Sequence, residues 1–339
     1  MKEKIDFVVS WLDSEDPKWQ EDFLNHKEKE ISGCTEACRF RDWGCFHFWF
    51  RAVEKYAPWV NKVFLVTNGK FPEWININHP KLVLVKHSDY IDKSKLPTFN
   101  SHTIELYMHR IKGLSEHFVY FNDDMYINNP IAPEYYFMNG LPCDYNEETF
   151  FNVPVYSKKN QFDIYSIILA DLGIINAHFK RNLTARQSWR KWLGPHLGFT
   201  RSLVSLALSN FELFVGFCWR HNEIAYLKSV LEEVWENYPI ILEQSCSQFR
   251  KEMTLNQYVF RYWQLASNKF HPIKSNTFQC LTISKNYKSS IEKVFQDPKI
   301  KSLCLNDTPW CSEEEFTELK EWLHCIMRKK YPEKSSFEM

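Results

Sequence analysis

The hydrophobic positions of the first 130 residues come in short continuous runs, each closed by a polar turn. Ile5 to Leu12 is apolar apart from Asp6 and Ser10 and stops at Asp13-Ser14-Glu15-Asp16-Pro17. Val63-Phe64-Leu65-Val66-Thr67 stops at Asn68-Gly69, Leu82 to Val85 is a third run, and Phe118-Val119-Tyr120-Phe121 runs into Asn122-Asp123-Asp124. Apolar runs of about four to eight residues bounded by turn signals read as strands buried on both faces. Between them, Phe46 to Tyr56 reads as a helix stopped by Pro58. Ser101 to Arg110 reads as a helix with Ser101 as its N-cap, continuing to Gly113. This β-α-β alternation predicts an α/β fold, Rossmann-like, with a mostly parallel sheet flanked by helices. Ligands of such sheets bind outside the carboxyl ends of the strands, which directs attention to Asp13–Asp16, Thr67-Asn68 and Asn122–Asp124.

From about 140 to 220 the rhythm is lost. Arg181, Arg186, Arg190 and Lys191 cluster around Trp189 and Trp192, and the segment reads as a helical insertion or lid. Its most apolar stretch, Leu203 to Cys218, is broken by Asn210 and Glu212 and falls short of the roughly 20 residues that span a bilayer. It reads as an amphipathic core or lid helix, with a helix lying on a membrane as the alternative. Ala225 to Tyr238 has helical spacing (Leu227, Val230, Leu231, Val234, Trp235) closed by Pro239, and Leu255 to Leu265 is a second helix. Ser302 to Leu305 reads as a strand ending in Asn306-Asp307. A last helix runs from a Ser312 cap, with Glu315 three residues on, to about Lys330. The expected parts are 1–139, 140–220 and 221–339, forming a single catalytic domain.

Composition narrows the chemistry. The 42 basic and 42 acidic residues balance, against a dedicated duplex-nucleic-acid binder. The 9 glycines form neither G-x-G-x-x-G nor a Walker A loop, so any phosphate is held by side chains, a metal or helix ends. Aromatics, 17% of the chain, offer flat surfaces for sugars. The 10 cysteines include Cys34 and Cys38, spaced C-x3-C, but scattered buried thiols are a better reading than zinc. Met1-Lys-Glu-Lys running into Ile5-Asp6 does not read as a signal peptide, so a cytoplasmic location and reduced thiols are expected.

Several constellations carry candidate chemistry. Asp123 and Asp124 are adjacent carboxylates at a strand end, an arrangement that a divalent cation bridging phosphates would neutralise; the bland reading is an Asx turn. Asn306-Asp307 repeats the arrangement and gains weight only if the fold joins the two. His102, Glu105 and His109 share roughly one helix face by i, i+3, i+7 spacing, as a metal site, an acid–base pair or a structural polar face. His221, in a loop before a helix, is either a general base or structural. Arg250 is either a phosphate ligand or a salt-bridge partner.

Four blocks carry a family resemblance. The first is Ile5 to Asp13 with Asp16-Pro17. The second runs from Arg41-Asp42-Trp43-Gly44 through Val53 to Val60, Phe64 to Gly69, Leu96 to His102, Glu105, His109-Arg110-Ile111 and Leu114-Ser115-Glu116 to Tyr120-Phe121-Asn122-Asp123-Asp124-Met125. The third extends from His221 through Leu231-Glu232-Glu233 to Phe249-Arg250 and Asn256-Gln257. The fourth is Cys304-Leu305-Asn306-Asp307. In this order they resemble the Stealth proteins, bacterial capsular and cell-wall polysaccharide hexose-1-phosphate transferases. An animal relative adds N-acetylglucosamine-1-phosphate to lysosomal glycoproteins. Cys45 to Arg51 and Asn222-Glu223 depart from the family's usual pattern.

The resemblance implies transfer of a sugar-1-phosphate from a UDP-sugar to an acceptor hydroxyl, with UMP released. It implies Mg2+ or Mn2+ held by Asp123, Asp124, Asn306 and Asp307, with Asp124 counted among the catalytic residues. It implies Arg250 on the phosphate oxygens and His221 as general base. Trp11, Asp13, Thr67 and Asn68 would line the uridine and ribose pocket. Ser101, His102, Glu105 and Arg110 would sit beside the sugar or phosphate, with Asn256 as a further substrate contact. Residues 1–139 would then bind the nucleotide sugar and metal, 140–220 would face the acceptor and 221–339 would complete the domain. The implied partner is a glycan acceptor, lipid-linked, met at the inner face of the plasma membrane. The competing expectations are a metal-dependent glycosyltransferase releasing UDP and a non-catalytic carbohydrate-binding module.

Overall fold

The computed structural model describes residues 3–27, 40–149, 162–274, 276–307 and 311–339; Cys34 and Cys38 lie outside them. The strands in chain order are β1 (Ile5–Ser10), β2 (Val63–Thr67), β3 (Leu82–Lys86), β4 (His117–Asn122), β5 (Met125–Ile127), β6 (Phe137–Met138), β7 (Leu141–Asp144), β8 (Ile224–Leu227), β9 (His271–Pro272), β10 (Phe278–Thr282) and β11 (Ser302–Asn306).

The main sheet has the order β3-β2-β1-β4-β8. Its first four strands are parallel and β8 runs antiparallel to β4. The expected α/β class is therefore present. β1, β2 and β4 are buried almost throughout because helices cover both faces. Asp6, the one acid inside the β1 run, is fully buried. It accepts Asn61 Nδ2 at 2.6 Å, Lys62 N at 3.1 Å and Ser115 N at 2.8 Å, pinning the entries to β2 and β4. The helix Phe46–Tyr56 has its expected bounds and buries Phe46, Phe48, Trp49, Phe50, Ala52 and Val53.

A smaller sheet, β10-β11-β5, packs beside it. β11 pairs parallel with β10 and antiparallel with β5, opposing Cys304 to Met125. The last strand thus joins this second sheet and not the main one.

Other expectations are corrected. Ala225–Tyr238 is not one helix: Ile224–Leu227 is fully buried strand paired with β4, and the helix begins at Lys228. Helical spacing holds only from Val230, whereas strand β8 has neighbours on every side. Pro239 does not merely stop that helix; it occupies the first turn of a new one, Pro239–Ser245, where its missing N–H is harmless. The helix after Asn100 ends at Leu106 and gives way to a 3-10 turn, Met108–Arg110. Its cap is Asn100, whose side chain accepts from His102 N at 3.1 Å, one residue ahead of the expected Ser101. The insertion does not open as a helix: Leu141–Asp144 is strand, paired with β6 and β9, and among the described residues its first helix is Phe162–His178. The final helix, Glu313–Lys330, does start at the expected cap, with Ser312 Oγ accepting from Glu315 N at 3.2 Å.

Candidate active site

Ser10 and Asn122 are register partners at the carboxyl ends of β1 and β4. There the strand order turns back on itself, and a doubly wound sheet opens a crevice at such a point.

After Asn122, the turn Asp123-Asp124 leads into β5. Because β5 pairs with β11, Leu305 N donates to the Asp124 carbonyl at 2.9 Å, and Asn306-Asp307 arrives at the same turn. The two polar strand ends, far apart in sequence, are brought together. His221 comes from the loop entering β8. Its Nε2 lies 3.4 Å from Asp124 Oδ2 and 3.5 Å from Asn122 Nδ2. Cys304 Sγ donates to the same Asp124 Oδ2 at 3.3 Å. Asp124, His221 and Cys304 bring one potential ligand atom each within 4.8 Å of one another.

The electrostatics are unbalanced in one direction. Asp124 Oδ1 is buried and has no hydrogen-bond partner, which costs on the order of 1–3 kcal/mol or more for a charged oxygen. Asp123 keeps an open outer side, yet the protein crowding it, then the Asp124 and Asp42 carboxylates, push its pKa up to about 8. A cation would relieve both strains, so these residues fit a divalent ion. Burial holds the Cys304 thiol well above the ordinary thiol range, and its S–H points at the Asp124 carboxylate. Asn306 accepts from Cys304 Sγ at 3.5 Å and donates to Cys280 Sγ at 3.1 Å. Asp307 is drawn toward Arg41, whose Nε lies 3.5 Å from its Oδ2. For His221, burial alone would lower the pKa, but the Asp124 carboxylate outweighs it and the value is raised above 6.5.

A second wall carries the cationic group. Asn100 Nδ2 donates to the carbonyls of Ser247 (3.3 Å) and Phe249 (3.4 Å), and Thr103 Oγ1 to Ser247 at 2.8 Å. This stitching sets Arg250 against the helix start, where its Nη2 donates to Ser101 Oγ at 2.6 Å. Glu105 is buried behind it, with Tyr120 donating to its Oε1 at 3.5 Å. Burial pushes Glu105 up to about 7, with Arg250 and His221 opposing the rise.

At the ends of β1 and β2, Asp13 Oδ2 is 2.6 Å from Lys70 Nζ, and Asp16 is 3.5 Å from it. Trp11 stacks on Phe46 with ring centroids 5.9 Å apart. Thr67 is fully buried, its hydroxyl accepting from Gly69 N at 3.0 Å, and Asn68 Oδ1 accepts from Lys70 N at 3.3 Å. These two side chains shape the turn that presents Lys70. Asn256 Oδ1 accepts from Tyr258 N at 2.9 Å and so steadies the start of the helix Tyr258–Ala266. His102 is buried. Arg110 is not brought to this cluster: it is exposed and lies over Tyr107 (4.5 Å) and Trp235 (5.0 Å). His109 also packs on Trp235, at 5.4 Å, because the helix carrying His102 and Glu105 stops before the spacing could extend to it.

Residues missed in the sequence also line the region. Lys70 follows an Asn-Gly turn, an available signal. Cys280, Cys304 and Asp42 gain their positions only from long-range pairing. Next to Arg220 and Asn222, the sequence neighbours of His221, opens a small cleft whose walls also include Tyr135, Tyr145, Glu223 and Phe278. Burial raises Glu223 there to about 7.

Comparison with known proteins identifies the family. Residues 39–143 match the family profile described as Stealth protein CR2, conserved region 2. A capsular polysaccharide phosphotransferase, WcwK, of Streptococcus pneumoniae is 39% identical over 99% of this chain and 98% of its own. A receptor polysaccharide phosphotransferase, WefC, of Streptococcus oralis is 36% identical over 99% of both chains. The crystal structure of the galactosyltransferase LgtC aligns over 93% of this chain and 95% of its own at 9% identity, with a TM-score of 0.35, a likeness too loose to bear on activity. Full-length identity of this order to two such proteins, with the matching conserved region, shows that this chain belongs to the Stealth family of phosphotransferases.

Proposed function

We propose that the enzyme transfers a sugar-1-phosphate from a UDP-sugar to a hydroxyl of an acceptor glycan, in building a capsular or other cell-surface polysaccharide. The observation that carries this reading is the convergence of three groups on one crevice: the Asp123-Asp124 turn with Asn306 and Asp307, the imidazole of His221, and the guanidinium of Arg250.

In this reading Asp123, Asp124, Asn306 and Asp307 hold Mg2+ or Mn2+, which when bound neutralises the donor diphosphate. His221 Nε2 takes the proton of the attacking hydroxyl. Both protonation states of that nitrogen have a partner: Asn122 Nδ2 donates to its lone pair before transfer, and Asp124 Oδ2 accepts from the N–H afterwards. The hydroxyl oxygen bonds to the phosphorus nearest the sugar. The bond from that phosphorus to the bridging oxygen breaks, and its electron pair leaves with UMP. Arg250, steadied by Ser101, holds the phosphoryl oxygens as charge develops, a role suited to a planar fork of donors. Lys70 and Asp13 stand where the nucleotide enters, with Trp11 as a stacking surface. The acceptor sugar approaches through the cleft next to Arg220 and Asn222, where Glu223 offers a hydroxyl acceptor.

The test is incubation with a panel of UDP-sugars, Mg2+ and acceptor glycan, followed by 31P NMR. A phosphodiester resonance with UMP is expected. UDP with no new phosphodiester would instead mean glycosyl transfer.

A further inference from the structure

Of the eighteen large hydrophobic side chains exposed among the described residues, eight fall between residues 183 and 213. Three form a stripe on the helix Gly198–Ala207: Phe199 is 81% exposed, Leu203 50% and Leu206 55%. Their i, i+4, i+7 spacing puts them on one face. Phe211 and Leu213, 50% and 58% exposed, continue beyond the helix. Leu183, 50% exposed, comes alongside. It lies between Lys180, paired with Glu212 at 3.3 Å, and Arg186, which donates to Asn210 at 3.4 Å. The helix is fixed from its other side, where Arg201 donates to the Glu148 carbonyl at 3.1 Å.

The charge around this face is predominantly positive. Residues 180–213 carry six basic side chains and one acidic, in a chain whose formal net charge is zero. Arg181 is bound to Glu148, and the Lys191 ammonium goes to the carbonyls of Asn268 and Phe270. Arg186 and Arg190 remain at the surface, Arg190 lying over the exposed Trp189 ring at 5.4 Å. No helix among the described residues is long and apolar enough to cross a membrane. A short apolar stripe flanked by surface arginines and a tryptophan is built for the headgroup–acyl boundary of an anionic bilayer.

We propose that this face docks the enzyme on the anionic surface of a lipid bilayer, with the helix Gly198–Ala207 lying in the plane of the interface. Docking also orients the crevice. Glu147 pairs with Arg201 at 3.8 Å and with Arg220 at 3.4 Å, and Arg220 is the neighbour of His221. On the phosphotransfer reading, an acceptor anchored in that bilayer meets the base from this side.

The test is flotation of the full-length protein with phosphatidylcholine vesicles, with and without phosphatidylglycerol. The wild type is expected to float with the anionic vesicles, and less so as salt is raised. Leu203→Glu/Leu206→Glu, and separately Arg186→Glu/Arg190→Glu, are expected to weaken binding by about tenfold or more. Their melting temperatures should be unchanged. Deuterium exchange should show residues 198–213 protected by vesicles in the wild type alone. Failure of the wild type to bind anionic vesicles, or unchanged binding by both variants, overturns the proposal. So does a dimer that the leucine substitutions dissociate without any vesicle binding, since that would make the face an interface between copies. None of these readouts needs turnover, so they fail independently of the proposed reaction.

Discussion

Replacing Arg181 by methionine should unclamp the insertion. Arg181 is 1% exposed and donates five hydrogen bonds: to Glu148 Oε1 (3.0 Å) and Oε2 (2.6 Å), to the carbonyls of Leu208 (2.8 Å) and Ser205 (3.0 Å), and to Ser205 Oγ (3.0 Å). Glu148 is 4% exposed, so methionine leaves a buried carboxylate without its counter-charge, a loss of about 3–5 kcal/mol. For a chain of this size the melting temperature should fall by roughly 4–7 °C. Burial already raises the Glu148 pKa above 4.5 against the pull of Arg181, and without the arginine it rises further. The folded variant then binds more protons than its unfolded form. Its deficit should be largest at alkaline pH and shrink as pH falls through neutrality toward the ordinary glutamate range. Calorimetry of wild type, Arg181→Met and Arg181→Met/Glu148→Leu across that range checks this. The double variant should recover part of the loss, because no unpaired charge remains. A deficit independent of pH, or a double variant no better than the single, would refute the buried-charge reasoning.

His221→Ala should bind UDP-sugar like the wild type, by calorimetric titration, while transfer falls by about 10²–10⁴-fold; turnover near the wild-type rate would remove His221 from the role of base. Arg250→Ala should lower kcat by about 10²-fold, and Arg250→Lys should regain little of it, since an ammonium lacks the planar fork of donors that a guanidinium offers to phosphoryl oxygens. Chelation should reduce transfer by roughly two orders of magnitude or more, with Mg2+ or Mn2+ restoring it in the wild type and not in Asp124→Asn. Glu223→Gln should raise the KM for acceptor and leave that for UDP-sugar alone, measured with each substrate varied in turn.

The parts of this fold legible in the sequence are those whose burial is uniform along the chain. β1, β2 and β4 are covered on both faces, so each shows as an unbroken apolar run. The helix Phe46–Tyr56 shows because its buried positions follow one stripe. β10 shows nothing, since Phe-Gln-Cys-Leu-Thr is half exposed and has neither run nor alternation. The strand Ile224–Leu227 was hidden because its apolar residues continue directly into the spacing of the next helix. Asp123, Asp124, His221 and Arg250 stood out by residue type at turns and by resemblance. Their companions did not, because register creates them: Cys280 faces Cys304 only when β10 pairs with β11, and Lys70 reaches Asp13 only when β1 lies beside β2. His109 shows the reverse case, a helical spacing extended past the point where the helix ends.

The central claim concerns which bond of the donor breaks, and a UDP-sugar labelled with 32P in the phosphate nearest the sugar tests it. The account predicts that the label appears in the acceptor glycan while the nucleotide is released as unlabelled UMP. Label recovered in UDP, with an unlabelled glycan product, would contradict it.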